Sequence, residues 1–185
     1  MYSTLKRWAT PRNAFLALFL FLVNTVILNI SDRPLAALAG GEPKLDLRFG
    51  YDFDTVMSLF AVYGERGRQL YFWNLVYDTP FPILFAITAV LFVGLVFEKK
   101  WLVFTLSLAP VEFMLTDLTE NAIFFRMLAL YPDISPGLVA TANIITIIKR
   151  AGYYVMLITL VGCALIYLGQ VVYRWIKRRS SVART

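Results

Sequence analysis

Long apolar runs separated by short polar connections set the pattern of this chain, at roughly residues 14–30, 81–97, 101–120 and 152–172. Crossing about 30 Å of hydrocarbon at about 1.5 Å per residue takes about 20 residues, so each run predicts one membrane-spanning helix. Between the first two lies the segment 31–78. Its residues 35–50 are rich in Gly, Ala, Pro and charge and read as an extracytoplasmic loop. Residues 54–64 predict a short helix with Asp54 as N-cap and Gly64 as terminator. That helix is too apolar for full solvation and is expected on the membrane surface or over the top of the bundle. A second short helix is expected through Arg66, Arg68, Tyr71, Trp73 and Tyr77.

Prolines punctuate the spans. Pro80 and Pro82 fall in the first turn of the second, where missing amides cost little. Pro110 is expected to kink the third, whose pattern runs on to Leu130 before Tyr131-Pro132-Asp133 breaks it. Residues 138–148 are apolar yet lie beyond the spanning length, as a helical extension or a re-entrant piece. No internal repeat is visible, which removes support for an inverted-repeat transporter. The expected fold is an all-α membrane protein, one polytopic domain over residues 1–185. It is a four-transmembrane-helix bundle with short amphipathic extracytoplasmic helices in the first outer loop.

Composition sharpens this reading. A hydrophobic content of 59% and a mean hydropathy of +0.66 mark a membrane class. The net charge of +6 divides by location. Lys6, Arg7 and Arg12, then Glu98-Lys99-Lys100, then Arg174, Lys177, Arg178, Arg179 and Arg184 together hold 10 of 18 bases and one of 12 acids. With four spans, those segments share a side. The positive-inside rule then predicts cytoplasmic termini in a cell (inner) membrane, with 31–78 outside. Trp8 and Arg12 would mark the inner boundary. The bases flank spans instead of forming a patch interleaved with aromatics, so no nucleic-acid partner is expected. The lipid bilayer is the expected partner, with anionic lipid a further one for the basic tail. A homo-oligomer or a membrane-complex partner is left open.

Lys6-Arg7, the apolar run and Ala37-Leu38-Ala39 also resemble a secretory signal with its cleavage site. The run is long for a signal core, and Asp32-Arg33-Pro34 separates it from the cut, so an uncleaved span is expected. With no histidine and only Cys163, inside the fourth span, no disulfide, zinc site or cofactor is expected. Cys163 reads as a packing residue. Gly162 and Gly169 read as a close helix approach, and Tyr153 and Tyr154 as outer-belt anchors.

Candidate chemistry concentrates in the third span. Counted from Trp101, Glu112 lies about 17 Å along the axis, Asp117 about 24 Å and Glu120 about 29 Å. At about 100° per residue, Glu112, Thr116, Asp117, Glu120 and Asn121 share one side, opposite Leu115, Leu118, Ala122 and Phe125. Lys149 and Arg150, counted back from Arg174, reach the outer level, where Asp78, Arg66 and Arg68 also lie. Asp78, Glu112, Asp117 and Glu120 thus meet Arg66, Arg68, Lys149 and Arg150, a balance expected of interhelical ion pairing. A ligand, proton or lipid-headgroup site is the competing reading. Glu112, deepest and far from any base, is expected to face the interior beside Asn24, which counts to the same depth. Asn24 and Asn29 should both face a neighbouring helix.

Gly64-Glu65-Arg66-Gly67-Arg68 with Tyr71, Asp78 with Phe81-Pro82, Asp117-Leu118-Thr119-Glu120-Asn121, and Lys149 carry a resemblance. They resemble a group of small bacterial four-span integral membrane proteins without an assigned activity. The resemblance covers scattered motifs over 64–150 and implies that these residues belong to one site. It implies no chemistry. The functional expectation is a non-enzymatic transport, accessory or assembly component with an outward-facing charged network. The alternative is an enzyme or binding protein acting on a lipid headgroup, with Asp117 or Glu120 as acid/base and Arg66 or Arg68 on a phosphate. Against the enzyme stands the absence of a nucleophile motif.

Overall fold

The computed structural model describes the backbone of residues 2–182 and the side chains of 2–177. Among the described residues every regular element is helical. The helices are α1 (Tyr2–Trp8), α2 (Pro11–Leu38), α3 (Phe53–Asp78), α4 (Pro80–Val96), α5 (Lys100–Leu130) and α6 (Pro136–Val182), with a 3-10 turn at Leu45–Leu47. Four helical stretches are long and apolar enough to cross a membrane: Pro11–Leu38, Phe53–Val96, Lys100–Leu130 and Pro136–Lys177.

The helices outrun the apolar runs that predict them. The expected end of the first span at Ser31-Asp32-Arg33-Pro34 is not observed, because α2 continues through Pro34 to Leu38. Leu35, 1% exposed, explains the extension: its burial outweighs the single backbone bond that an internal proline forgoes. The loop therefore begins about eight residues later than expected. α5 likewise keeps helical conformation through Pro110, whose ring is buried, so the expected kink leaves no irregular residue. Residues 138–148 belong to α6, which settles them as a helical extension and not a re-entrant piece.

The segment 53–78 is two helical arms joined at Gly64, whose φ of 58° and ψ of −171° only glycine takes without strain. The N-cap is Asp52 and not Asp54. Its Oδ1 accepts from the Thr55 amide at 2.8 Å and from the Thr55 hydroxyl at 2.5 Å. The Thr55 hydroxyl and amide hold this exposed carboxyl below the usual range. The cap contribution is therefore present at neutral pH and lost as pH falls through that lowered value. The first arm buries Val56, Leu59, Phe60 and Tyr63 against Leu35, Leu45, Phe124 and Met127 at one end of the bundle.

Burial falls into two cores. One joins Ala14 and Ala17 of α2, Phe85, Ala89 and Val93 of α4, Phe113 of α5, and Met156 and Cys163 of α6. The other joins Leu35, Leu45, Phe60 and Tyr71 with Phe124 and Met127 of α5 and Val139 and Ala142 of α6. Along α5 and α6 the buried side chains between these cores are polar, Asp117, Glu120 and Asn121 on one and Thr146 and Lys149 on the other, and that layer is where the candidate site sits. Tyr153 is not a belt anchor: its ring packs 5.7 Å from Phe113 and 5.9 Å from Phe85, while Tyr154 is exposed.

At the far end, Lys6 bonds the Gly94 carbonyl at 2.9 Å and Glu98 at 3.1 Å. Tyr167 of α6 lies 6.2 Å from Phe15 and 6.4 Å from Phe92, so α6 descends to that same end. The basic segments thus lead to one end of the bundle, as their charges predict. The tail residues Arg178 and Arg179 have side chains outside the described residues, and Arg184 lies outside them altogether. Gly162 and Gly169 meet no neighbouring helix. Close approaches fall instead at Gly152, against Glu112 of α5, and at Gly94, where an added Cβ would stand 2.7 Å from the Ala9 Cβ. Gly94→Ala is therefore expected to lift α1 from α4 at a cost of about 1–3 kcal/mol. Accelerated proteolysis near residues 2–8 with a lowered melting temperature would register it.

Candidate functional site

Asp117, Glu120 and Asn121 lie on α5 one turn apart, between Phe113 below and Phe124 above, so the helical period that buries the phenylalanines buries them too. The same logic on α6 turns Thr146 and Lys149 inward between Ala142 and Met156. Lys149 is 9% exposed and Glu120 0%. Lys149 Nζ donates to Asp117 Oδ1 at 3.1 Å and to Glu120 Oε2, a buried charge bound by opposite charges. Thr146 donates to Glu120 Oε1, and its hydroxyl also lies 3.0 Å from the Tyr51 hydroxyl. Asp78, at the last turn of α3, accepts from the Asn121 side-chain amide at 2.9 Å.

A second cluster meets the first across a cavity. Lys44 Nζ, in the loop after α2, bonds Asp32 Oδ1 at 3.0 Å, Asp46 Oδ2 at 3.2 Å and Asn74 Oδ1 at 2.9 Å. Asn74 in turn donates to Ser31 Oγ at 2.7 Å and Asp32 Oδ1 at 2.8 Å. Burial alone would lower the pKa of Lys44, but the charges of Asp46, Asp78 and Asp32 outweigh it and hold the value above the ordinary lysine range. Tyr51, nearby, has its hydroxyl pushed up by burial.

The cavity holds about 360 Å³. Its charged lining is four carboxylates, Asp32, Asp46, Asp78 and Asp117, and three bases, Lys44, Lys149 and Arg150. Phe81, Phe113 and Tyr153 form an aromatic side. Thr25 and Asn29 of α2 face Tyr153 and Tyr154 of α6 around it, and Asn29 and Tyr154 are exposed. Both α2 and α6 thus line the cavity, and they touch farther down through Phe15 and Tyr167.

Of the residues expected in one site, Asp78, Asp117, Glu120, Asn121, Lys149 and Arg150 come together. Arg66 and Arg68 do not. Arg68 donates to the Phe60 carbonyl at 3.0 Å and stacks 4.3 Å from the Tyr131 ring centroid, and Arg66 is exposed. Among the described residues Arg150 reaches no carboxylate; it donates to the backbone carbonyls of Asp46 and Arg48 and lies 4.4 Å from the Phe49 ring. Glu112 sits a turn below the network, its carboxylate lodged where a side chain on Gly152 would stand. It is half-buried, its Oε1 has no partner, and it makes no bond to Asn24. Asn24 donates instead to the Tyr77 carbonyl at 3.0 Å, and Asn29 bonds its own helix at the Thr25 carbonyl.

Lys44, Asp32, Asp46, Asn74, Thr146 and Tyr51 escaped the sequence reading. Their entry and the departure of Arg66 and Arg68 overturn the expected balance. Five acids, counting Glu120 behind Lys149, now face three bases. Among the described residues no group of His, Cys, Asp or Glu is placed to hold a metal ion. No family model, curated protein or solved structure matches this chain.

Proposed function

We propose that this chain is a non-enzymatic membrane protein, a transport or accessory component, that holds a small amphiphilic molecule in the cavity between α2 and α6. One observation carries the reading: two ion-paired clusters, Lys44 with Asp32 and Asp46 and Lys149 with Asp117 and Glu120, border a cavity of about 360 Å³ rather than closing on each other. Purely structural ion pairs gain most from tight, dry contact, whereas ligand sites run to about 300–1,000 Å³ with a mixed apolar and polar lining. Exposed lining residues on α2 and α6, Asn29 and Tyr154, favour a ligand that arrives from the bilayer, including a lipid headgroup.

Catalysis on such a headgroup has less support. Asp117 is tied to Lys149, and the arginines expected to hold a phosphate stand elsewhere. Bulk on the α2 side of the cavity tests the binding reading. Thr25→Phe with Asn29→Trp should exclude the molecule, and organic extracts of the purified protein should lose a species that the parent chain carries. Identical extracts from both proteins, with nothing retained by either, would leave only a scaffold.

For orientation, we infer a cell (inner) membrane with both termini cytoplasmic. The support is the gathering of the basic segments toward one end of the bundle, away from the cavity. A periplasm-active enzyme fused after Thr185 should be silent and a cytoplasm-active one bright. The reverse pattern would invert the topology and turn the cavity to the cytoplasmic leaflet.

A further inference from the structure

The donors and acceptors around the cavity are unequal. Lys44 spends its ammonium on Asp32, Asp46 and Asn74, and Lys149 spends its own on Asp117 and Glu120. Arg150 is committed to two backbone carbonyls and the Phe49 ring. Carboxylates thus neutralise the two lysines, while Arg150 has no carboxylate partner among the described residues. The acids are less fully used. Asp78 is 7% exposed, makes no ion pair among the described residues, and has the neutral Asn121 amide as its hydrogen-bond donor. Asp46, with its side chain 8% exposed, gives Oδ2 to Lys44 while Oδ1 has no hydrogen-bond partner among the described residues. A buried carboxylate oxygen without a donor is costly, and a native site normally supplies one.

Resting on the reading of the cavity as a binding chamber, we propose that its ligand carries an N–H-bearing ammonium group. Asp78 takes the charge with the buried charge of Asp46 behind it, and Phe81, Phe113 and Tyr153 take the apolar body. An anion would meet a lining with more carboxylates than bases. A metal ion would need several converging oxygens, and no such group exists among the described residues. A quaternary ammonium brings charge but no donor, so Asp78 would keep the Asn121 amide as its donor and gain no other. A protonated primary amine brings both. The same chemistry can come from an ethanolamine headgroup or from a free lipophilic amine.

The full chain in nanodiscs, challenged with dodecylamine, dodecyltrimethylammonium, dodecanol and dodecanoate, tests this by thermal shift and native mass spectrometry. Dodecylamine should bind at least about tenfold tighter than the other three. Asp46→Asn and Asp78→Asn keep shape and an acceptor oxygen, and each should erase that preference while leaving the protein folded. Retention of phosphatidylethanolamine over phosphatidylcholine would place the amine on a lipid. Dodecylamine preference without that retention would place it on a free molecule. Equal binding of all four compounds would overturn the ammonium assignment and keep the chamber. Binding of none, with no loss of any species in the Thr25→Phe, Asn29→Trp variant, would remove chamber and ammonium together.

Discussion

Replacing Lys149 with methionine should cost roughly 3–5 kcal/mol, the largest loss expected from any one substitution in this protein. The side chains it would abandon are the most enclosed carboxylates here, Asp117 at 4% and Glu120 at 0% exposure. Methionine keeps the stem and its packing but not the charge. Two acids would then share a layer between hydrophobic cores with Thr146 and no cation. Stabilities of about 5–15 kcal/mol leave little margin for that loss. The double substitution Asp117→Asn with Glu120→Gln, added to Lys149→Met, should recover most of it, because a neutral trio carries no unpaired charge. Melting in detergent, read for single and triple variants, decides the matter. A single variant within about 1 kcal/mol of the parent would mean that water reaches this layer freely.

The half of the site that lies on regular helices could be read from spacing. A period of 3.6 puts Asp117, Glu120 and Asn121 on one face, and counting back from Arg174 puts Lys149 level with them. That arithmetic yields depth along a helix and angle around it. It yields nothing about how a chain turns between helices. Arg66 and Arg68 shared the right depth, but Gly64 redirects the arm that bears them and carries Arg68 to Tyr131. Asn24 and Glu112 also matched in depth. Asn24 nevertheless faces the Tyr77 carbonyl, in the last turn of α3 where carbonyls lack intrahelical partners.

The other half was hidden by two physical facts. Lys44 and Asp46 sit in a Gly- and Pro-rich loop, where no periodicity assigns a direction to any side chain. Asp32 looked like a helix end because Arg33-Pro34 follow it, whereas burial of Leu35 carries the helix past them. Local propensity lost to tertiary packing at that point. The functional inference moved with it, since a balanced set of charges reads as scaffold and an acceptor-rich cavity reads as a site.

Lys44→Met should rank next, at about 3 kcal/mol, toward the lower end for a broken buried pair because Asp32 keeps 30% exposure. Three acceptors surround this one nitrogen, on Asp32, Asp46 and Asn74, and an ammonium has three donors to match them. Those bonds also fasten the loop after α2 to both α2 and α3, so the loss should be felt as loosening as well as lowered stability. Trypsin cleavage after Arg48 should quicken in Lys44→Met before global unfolding does. Lys44→Arg separates charge from shape. A planar fork cannot meet three acceptors that converge on a point, so arginine should fall between parent and methionine. If arginine instead melted with the parent, charge alone would hold the loop. If Lys44→Met left both melting and cleavage unchanged, the loop would be held by Arg150 and Tyr51, which reach it from α6 and toward α6 respectively.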